Sequence, residues 1–307
     1  MSEAPSRHLS PNQRAWRRFL RNRPAIACLV LLAAALALLL AWPHLSRHAP
    51  DAVTDAQFAA PNAAHWLGTD VHGRDLLSRV FHGARVSLLV GVVGAVVSLV
   101  IGVTWGAVAG YLGGRWDSVM MRVVDVLYSL PSIVFVIVLL TTINGLLDKL
   151  QDKNLAAGDA RAAQFICLFA GLGAVSWLTM ARIVRGQVLT LRTRPFVDAS
   201  RALGASHGRI LLRHILPNIA GIIIVYLTLL VPAIILYESF LSYLGLGIQP
   251  PQASLGSLIA EGAGQINPVR IYWWLIAFPG AVLVGLLLAL NFVGDGLRDA
   301  FDPRARA

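Results

Sequence analysis

Six long apolar stretches constrain this chain more than any other feature of its sequence. A helix needs ~20 mostly apolar residues to cross the ~30 Å hydrocarbon core of a bilayer. The stretches cover residues 25–42, 86–109, 123–144, 163–181, 218–237 and 272–293. The sequence therefore predicts an all-α fold, a polytopic membrane bundle of six transmembrane helices.

The composition agrees with lipid as the main solvent. Of the 307 residues, 56% are hydrophobic and 14% are charged, against roughly 45–50% and about 25% in soluble proteins. The net charge of +10 comes from basic residues that lie between the apolar stretches, so we expect membrane lipid and no nucleic acid as a partner. Cys28 and Cys167 each lie inside an apolar stretch, which favours packing over a disulfide or a metal site.

Two local features of the stretches need interpretation. The first follows an arginine-rich segment but is long for a signal peptide and lacks a small-residue cleavage site, which favours an uncleaved anchor. The third and fifth contain Pro131 and Pro232. Because neighbouring helices can satisfy the freed carbonyl groups, we expect these prolines to kink the helices and not to break them.

The distribution of arginine predicts the orientation in the membrane. Eighteen of the 26 Lys and Arg residues fall on the segments that share a side with the two termini, and basic residues concentrate on the cytoplasmic side. Both termini are therefore predicted to be cytoplasmic.

Glycines recur at every fourth position in the second stretch, at Gly102, Gly106 and Gly110. Small residues at this spacing let another helix backbone approach closely. That helix belongs either to this chain or to a second pore subunit, and the spacing leaves both alternatives open.

The segment 182–217 is too polar to span the membrane, yet apolar residues recur in it at helical spacing. We predict two short amphipathic helices joined at Gly204, with Pro217 at the start of the next span. Such a segment either rests on anionic lipid or docks a cytoplasmic partner.

The same segment resembles the EAA loop of ABC importer permeases. The matching positions are Asp198, Ala199, Ser200, Gly204, His214, Leu216 and Pro217. Asp198, Ser200 and His214 depart from the family's Glu, Ala and Ile. Segments 65–79, 110–117, 176–186, 238–247 and 294–303 are similar to the C-type permease subunit of oligopeptide and dipeptide importers.

This resemblance implies a type I ABC importer permease fold with a cytoplasmic coupling helix. Residues 1–67 would form the tail, the anchor helix and the start of an outer loop, and residues 68–307 the transmembrane domain with the EAA loop at 182–217. The implied partners are a homologous B-type permease, two ABC ATPase subunits and an extracytoplasmic peptide-binding protein. ATP and magnesium would belong to the ATPases, and no cofactor to this chain. The implied substrate is an oligopeptide, with a dipeptide, nickel or a peptide antibiotic as alternatives.

An outer loop carries turn residues and charges of both signs. These residues are Gly68, Thr69, Asp70, Gly73, Arg74 and Asp75. We predict a buried Arg–Asp pair that holds the loop, because the nearby histidines lack zinc-site spacing. No metal site, catalytic residue or P-loop is expected.

Acidic residues near the ends of the predicted spans bear on an alternative function, that of a secondary transporter. Asp125, Glu238 and Asp295 are expected to reach water or an arginine there. A secondary transporter driven by an ion gradient prefers carboxylates in the middle of its spans, so the sequence disfavours it. A membrane scaffold without a pore leaves the EAA-like loop unexplained.

Overall fold

The computed structural model describes residues 11–151, 157–248, 252–268 and 270–301, and within them helices dominate. The helices are α1 (Pro11–Phe19), α2 (Arg23–Leu45), α3 (Leu76–Leu112), α4 (Gly114–Ser129), α5 (Ser132–Gln151), α6 (Ala157–Leu191), α7 (Pro195–Ala202), α8 (His207–Ile210), α9 (Leu216–Tyr243), α10 (Leu255–Ala263) and α11 (Trp274–Phe301). The described residues contain no strand, only an isolated antiparallel bridge between Thr69 and Asp75.

Four helical segments in this part of the chain are long and apolar enough to cross a membrane. They are Arg23–Leu45, Leu76–Leu112, His207–Tyr243 and Trp274–Phe301, and the bent pair of α4 and α5 makes a fifth if it counts as one span. The predicted stretch 163–181 falls on α6, where many side chains, including that of Cys167, lie outside the described part. The multi-pass helical fold is confirmed, and the count of six stays a prediction.

Pro131 breaks the third span, so the predicted kink is wrong. The axes of α4 and α5 differ by 93°. Leu130, before the proline, has extended backbone angles, φ −81° and ψ 137°, because the proline ring disfavours a helical residue before it. Pro232, by contrast, stays inside α9, as expected.

The helices extend beyond the predicted apolar stretches. Helix α3 begins at Leu76 because the Asp75 carboxylate accepts a hydrogen bond from the Ser78 amide at 2.9 Å and caps the helix. Helix α6 continues to Leu191, ten residues past the stretch. Hydropathy marks the lipid-spanning part of a helix, and the capping residue determines where the helix begins.

Helices α3 and α6 pack closely along the glycine stripe. A methyl group added at Gly102 would lie 2.6 Å from the Met180 Cβ, and one at Gly110 would lie 2.8 Å from the Arg185 carbonyl oxygen. At Gly106 it would overlap the Ala181 carbonyl group. The glycines therefore serve packing within this chain, one of the two alternatives that the spacing left open.

The remaining helices surround this pair. Helix α9 packs on α3, α6 and α11, and α2 packs on α11, where Ala25 meets Gly296. The first apolar stretch is thus part of the bundle. Helices α3, α4 and α5 contact α6, and helices α3, α10 and α11 contact α9. The loop 192–215 joins α6 to the continuous helix that contains α9.

The close approach of α3 and α6 gives a first prediction. Gly106→Ala should lower the thermal unfolding midpoint of the purified protein, because overpacking costs about 1–3 kcal/mol. Gly285→Ala on α11 is the matched control, since nothing lies within 4 Å of its added methyl group. Equal midpoints for the two variants would contradict the glycine contact.

Candidate functional site

Helix α7 forms the first half of the EAA-like loop. Arg194 precedes it with extended backbone angles, and Pro195 occupies its first turn, where a missing N–H costs nothing. Asp198 lies in the same turn, where the helix dipole favours a negative charge. Its carboxylate is exposed and accepts a hydrogen bond from Arg201 at 3.1 Å. Asp198 therefore stays on the surface of the loop.

The predicted bend at Gly204 comes directly after the end of α7. The Ala199 carbonyl accepts the Leu203 amide and the Ser200 carbonyl accepts the Ala205 amide, each at 3.1 Å, so these two residues close the end of α7. Gly204 has a φ of +77° and nothing lies within 4 Å of an added methyl group. A side chain there would be strained by the backbone angle alone.

The second predicted short helix is not separate. Helix α8 continues through a π-helical segment, Leu211–Ile215, into α9, and the continuous helix runs from His207 to Tyr243. His214 lies in the π-helical segment, and Leu216 and Pro217 begin α9. Pro217 therefore does not start the span. The π-helical segment has a wider turn, which relieves the clash between the Pro217 ring and the preceding turn of the helix.

Buried residues that the sequence reading missed anchor the loop to the bundle. Val197, Ile210 and Ile215 are fully buried and pack with Tyr111 of α3 and Val188 of α6. The Tyr111 hydroxyl lies 3.0 Å from the His207 Nδ1. Apolar residues at helical spacing were the visible signal, but their partners lie far away in the sequence.

Arg192 ties the inner ends of α3 and α6 together. Its guanidinium donates to the carbonyl oxygens of Gly110 and Tyr111 at 3.2 and 3.1 Å, two of the orphan acceptors at the end of α3. Gly113 has a φ of +65°, and a methyl group there would lie 2.9 Å from the Arg192 Cζ. We call this contact of Arg192 with residues 110–113 the inner latch. It joins α3, α6 and the loop into one body.

The inner latch gives a second prediction. Gly113→Ala should displace the Arg192 guanidinium and cost about 1–3 kcal/mol of local stability, so trypsin should cleave at Arg201 faster. Gly114→Ala is the control, because Gly114 also has a positive φ but nothing within 4 Å of the added methyl group. Arg192→Met should reproduce the effect. Equal cleavage in all variants would show that the latch does not hold the loop.

The outer loop is a tight turn held by its own charges. Gly68 and Gly73 have φ of +80° and +72°. The Asp70 carboxylate accepts the amides of His72 and Arg74 at 2.8 and 2.9 Å and pairs with the Arg74 Nε at 2.6 Å. The buried Arg–Asp pair that we predicted is therefore present.

The other predicted residues of this loop attach it to the bundle. The Thr69 hydroxyl accepts the Ala59 amide at 2.8 Å, and the Thr69 carbonyl accepts the Trp274 Nε1 at 3.3 Å. Asp75 caps α3 and also lies 2.9 Å from the His65 Nδ1. Within the described ranges, no three His, Cys, Asp or Glu residues lie together as a potential metal site.

Arg79 connects the ion pairs of the outer loop to α10. The sequence did not predict this connection. It is 2% exposed and lies 2.6 Å from both the Asp70 Oδ2 and the Glu261 Oε2. Burial by itself raises the pKa of Asp70, but the Arg74 amide and the charges of Arg79 and Arg74 outweigh it and hold that pKa below its usual value. The carboxylate therefore stays ionised and keeps the network closed near neutral pH.

This network gives a third prediction. Arg79→Met leaves Asp70 and Glu261 to share the charge of Arg74, and breaking a buried pair costs about 3–5 kcal/mol. Proteolysis of segment 47–75 in the purified protein should accelerate. Arg85→Met is the control, since Arg85 is an exposed residue of the same helix. Resistance of the Arg79 variant equal to that of the control would contradict the network.

We expected Glu238 to reach water or an arginine near the end of its span, and this expectation is wrong. Its side chain is fully buried and accepts hydrogen bonds from Ser87 and Ser242 at 3.1 and 2.7 Å. Within the described residues no arginine pairs with it, because Ile248, Ser254 and Leu255 lie against its serine partners and cover it. Asp125 does pair with an arginine, as expected: its carboxylate lies 2.8 Å from the Arg182 Nη2.

The fold is that of a multi-pass membrane protein with a loop at each end of its helices, and comparison with known families specifies its class. Residues 102–307 match the family described as binding-protein-dependent transport system inner membrane component. Residues 10–64 match the N-terminal TM domain of oligopeptide transport permease C. The chain therefore belongs to the family of binding-protein-dependent transport system inner membrane components.

Individual relatives specify the branch of the family. The chain is 46% identical to the oligopeptide transport system permease protein OppC of Escherichia coli (strain K12), covering 96% of this chain and 91% of the relative. It is 47% identical to the OppC of Salmonella typhimurium, with 96% and 91% covered. It is 42% identical to the dipeptide transport system permease protein DppC of Bacillus subtilis, with 97% and 87% covered. The resemblance to the C-type permease subunit is confirmed.

Proposed function

We propose that this chain forms half of the translocation pathway for oligopeptides in an ATP-driven importer of the inner membrane. The observation that carries the proposal is the identity of 46–47% to oligopeptide permeases along nearly the whole chain. The geometry supports it, since a polar loop on one side is joined to long apolar helices. The C-type subunit pairs with a homologous B-type permease that supplies the other half.

The energy source lies on partner subunits. The chain has no G-x4-G-K-[ST] sequence, which a P-loop requires, so we assign ATP and magnesium to two ABC ATPase subunits and no cofactor to this chain. The segment from Asp198, Ala199 and Ser200 through Gly204 to His214, Leu216 and Pro217 is the coupling segment. Leu203 at the tip of α7 is 87% exposed and Phe196 is 38% exposed. An exposed leucine at a helix tip suits contact with another protein.

The orientation follows from the same assignment. The coupling segment faces the cytoplasm with both termini, and the outer loop faces the extracytoplasmic peptide-binding protein. Trp66 and Val53 beside that loop are 69% and 72% exposed, which suits a docking surface. The division of the chain at residue 67 separates the anchor helix from the domain that carries both loops.

The movement of the ATPase subunits reaches the transmembrane helices through contacts between packed helices. When ATP draws the two ATPase subunits together, α7 moves with them. Val197 and the contact between Tyr111 and His207 pass this movement to α3, and the inner latch passes it to α6. Because packed helices move as units, the pathway opens on one side and closes on the other.

A second candidate substrate is a dipeptide, favoured by the 42% identity to the dipeptide permease of Bacillus subtilis. Both substrates share the peptide backbone and charged ends, and peptide selection belongs to the binding protein. The two candidates differ only in the length of the cargo.

Uptake of labelled peptides tests the proposal. Deletion of the gene should abolish uptake of a labelled tripeptide in the source bacterium, and restoring the gene should rescue it. Loss of dipeptide uptake with unchanged tripeptide uptake would shift the substrate to dipeptides. Unchanged uptake of both, with no other importer active, would contradict a peptide permease.

Gly204 gives a fourth prediction, on coupling. Gly204→Val forces a β-branched residue into a left-handed conformation that costs roughly 1–2 kcal/mol. Uptake should fall while the protein remains in the membrane. Gly208→Val is the control, because Gly208 lies in α8 with nothing within 4 Å of an added methyl group. Equal uptake by both variants would remove Gly204 from the coupling segment.

A further inference from the structure

An exposed ion pair lies at the ends of the third and fourth predicted apolar stretches, where α4 and α6 meet. Asp125 of α4 and Arg182 of α6 lie 2.8 Å apart, with side chains 57% and 40% exposed. The Arg182 guanidinium also lies 4.1 Å from the centre of the Tyr128 ring, and the Tyr128 hydroxyl lies 3.3 Å from the Thr179 Oγ1. One face of α4 and α6 thus presents charges and hydroxyl groups outward.

At the ends of the spans such a face meets water, lipid headgroups or protein. Charged side chains within a membrane are costly and face a protein partner or a water-filled space. Arginine reaches several ångströms toward a headgroup along its flexible chain, but aspartate is too short to do so. The ion pair therefore indicates contact with water or protein on this face.

The break between α4 and α5 points to the same face independently. Leu130 has extended backbone angles, and Leu130 is 48% exposed. Backbone outside a helix is tolerated at membrane depth only where protein covers it or where it lines a water-filled cavity. The broken backbone at Leu130 lies two residues from Tyr128, so both observations concern one surface.

A cavity of about 420 Å³ opens at this surface, within the ~300–1,000 Å³ typical of small-molecule sites. Helices α4, α5, α6 and α9 line it. Its walls include the hydroxyl-bearing Tyr128, Thr179 and Tyr237 and the apolar Phe135 and Leu230. It combines hydrogen-bonding groups with aromatic and aliphatic surface.

We propose that this surface, made of Asp125, Tyr128, Thr179, Arg182 and Tyr237, lines the aqueous pathway and is a transit site for peptides. The inference rests on the proposed function and specifies where in this chain the cargo passes. Hydroxyl groups donate to and accept from peptide amides whatever the side chains are, and the ring faces contact apolar side chains. The paired charges cancel, so the surface does not select peptides by charge.

Cysteine accessibility tests the proposal in the assembled transporter. Thr179→Cys is made in a background with Cys28→Ser and Cys167→Ser, and a charged methanethiosulfonate is applied from each side of the membrane. Thr179→Cys should react, its modification should abolish tripeptide uptake, and excess tripeptide should slow the reaction. Val284→Cys on α11, which is 55% exposed and does not line the cavity, is the control and should not react.

Three outcomes would overturn the proposal, and they differ in meaning. An inert Thr179→Cys in cells that take up tripeptide would show that lipid or the B-type permease covers the surface, and the proposed function would stand. Reaction that tripeptide does not slow, in cells that still take it up, would remove the peptide from this surface. Reaction without protection in cells that take up no peptide would remove the proposed function as well, while leaving the surface aqueous.

A bulky substitution provides a second measurement that does not depend on labelling. Thr179→Trp fills the cavity and should cause loss of uptake with normal amounts of protein in the membrane. Val284→Trp should retain uptake. Retained uptake in Thr179→Trp would contradict passage across this surface.

Discussion

The backbone contact between α3 and α6 determines where the other functional groups lie. Three glycines allow α3 to approach α6 so closely that an added methyl group at Gly106 would overlap a carbonyl group. With this distance fixed, the end of α3 comes within reach of Arg192, and Tyr111 comes within reach of His207. The opposite side of α6 is left to carry Thr179 and Arg182. One contact between helices thus separates the side that carries the proposed coupling segment from the side that carries the proposed pathway surface.

The two ends of the bundle are held by different interactions. At the end that carries α7, buried apolar residues and hydrogen bonds to backbone carbonyls hold the proposed coupling segment, and one face of α7 stays exposed. At the outer end, Arg79 joins the Asp70 turn to Glu261 of α10. Apolar contacts are not directional, which suits a segment that moves with its neighbours. A buried ion pair has fixed geometry and strongly opposes separation of its partners, which suits an anchor beside the pathway.

Much of this architecture is readable from the sequence. The apolar stretches, the glycine stripe and the bend at Gly204 follow from local patterns, since each depends on residues within one or two turns. The break at Pro131 was not readable, because a kink and a break have the same local sequence and only the packing of α5 distinguishes them. The links from Arg79 to Glu261 and from Tyr111 to His207 join residues 182 and 96 positions apart. No local pattern encodes such pairs, and Glu238 was misjudged because the segment that buries it follows later in the chain.

Photo-crosslinking from Leu203 tests the central claim most directly, because the claim requires this exposed residue to meet an ATPase. A photoreactive amino acid is placed at position 203 in the source bacterium, and at Val284 as the control. The account predicts an adduct from position 203 whose partner carries a G-x4-G-K-[ST] sequence by mass spectrometry, and no such adduct from position 284. Adducts from position 203 with lipid alone, in cells that take up peptide, would contradict it and make the segment a membrane-surface helix.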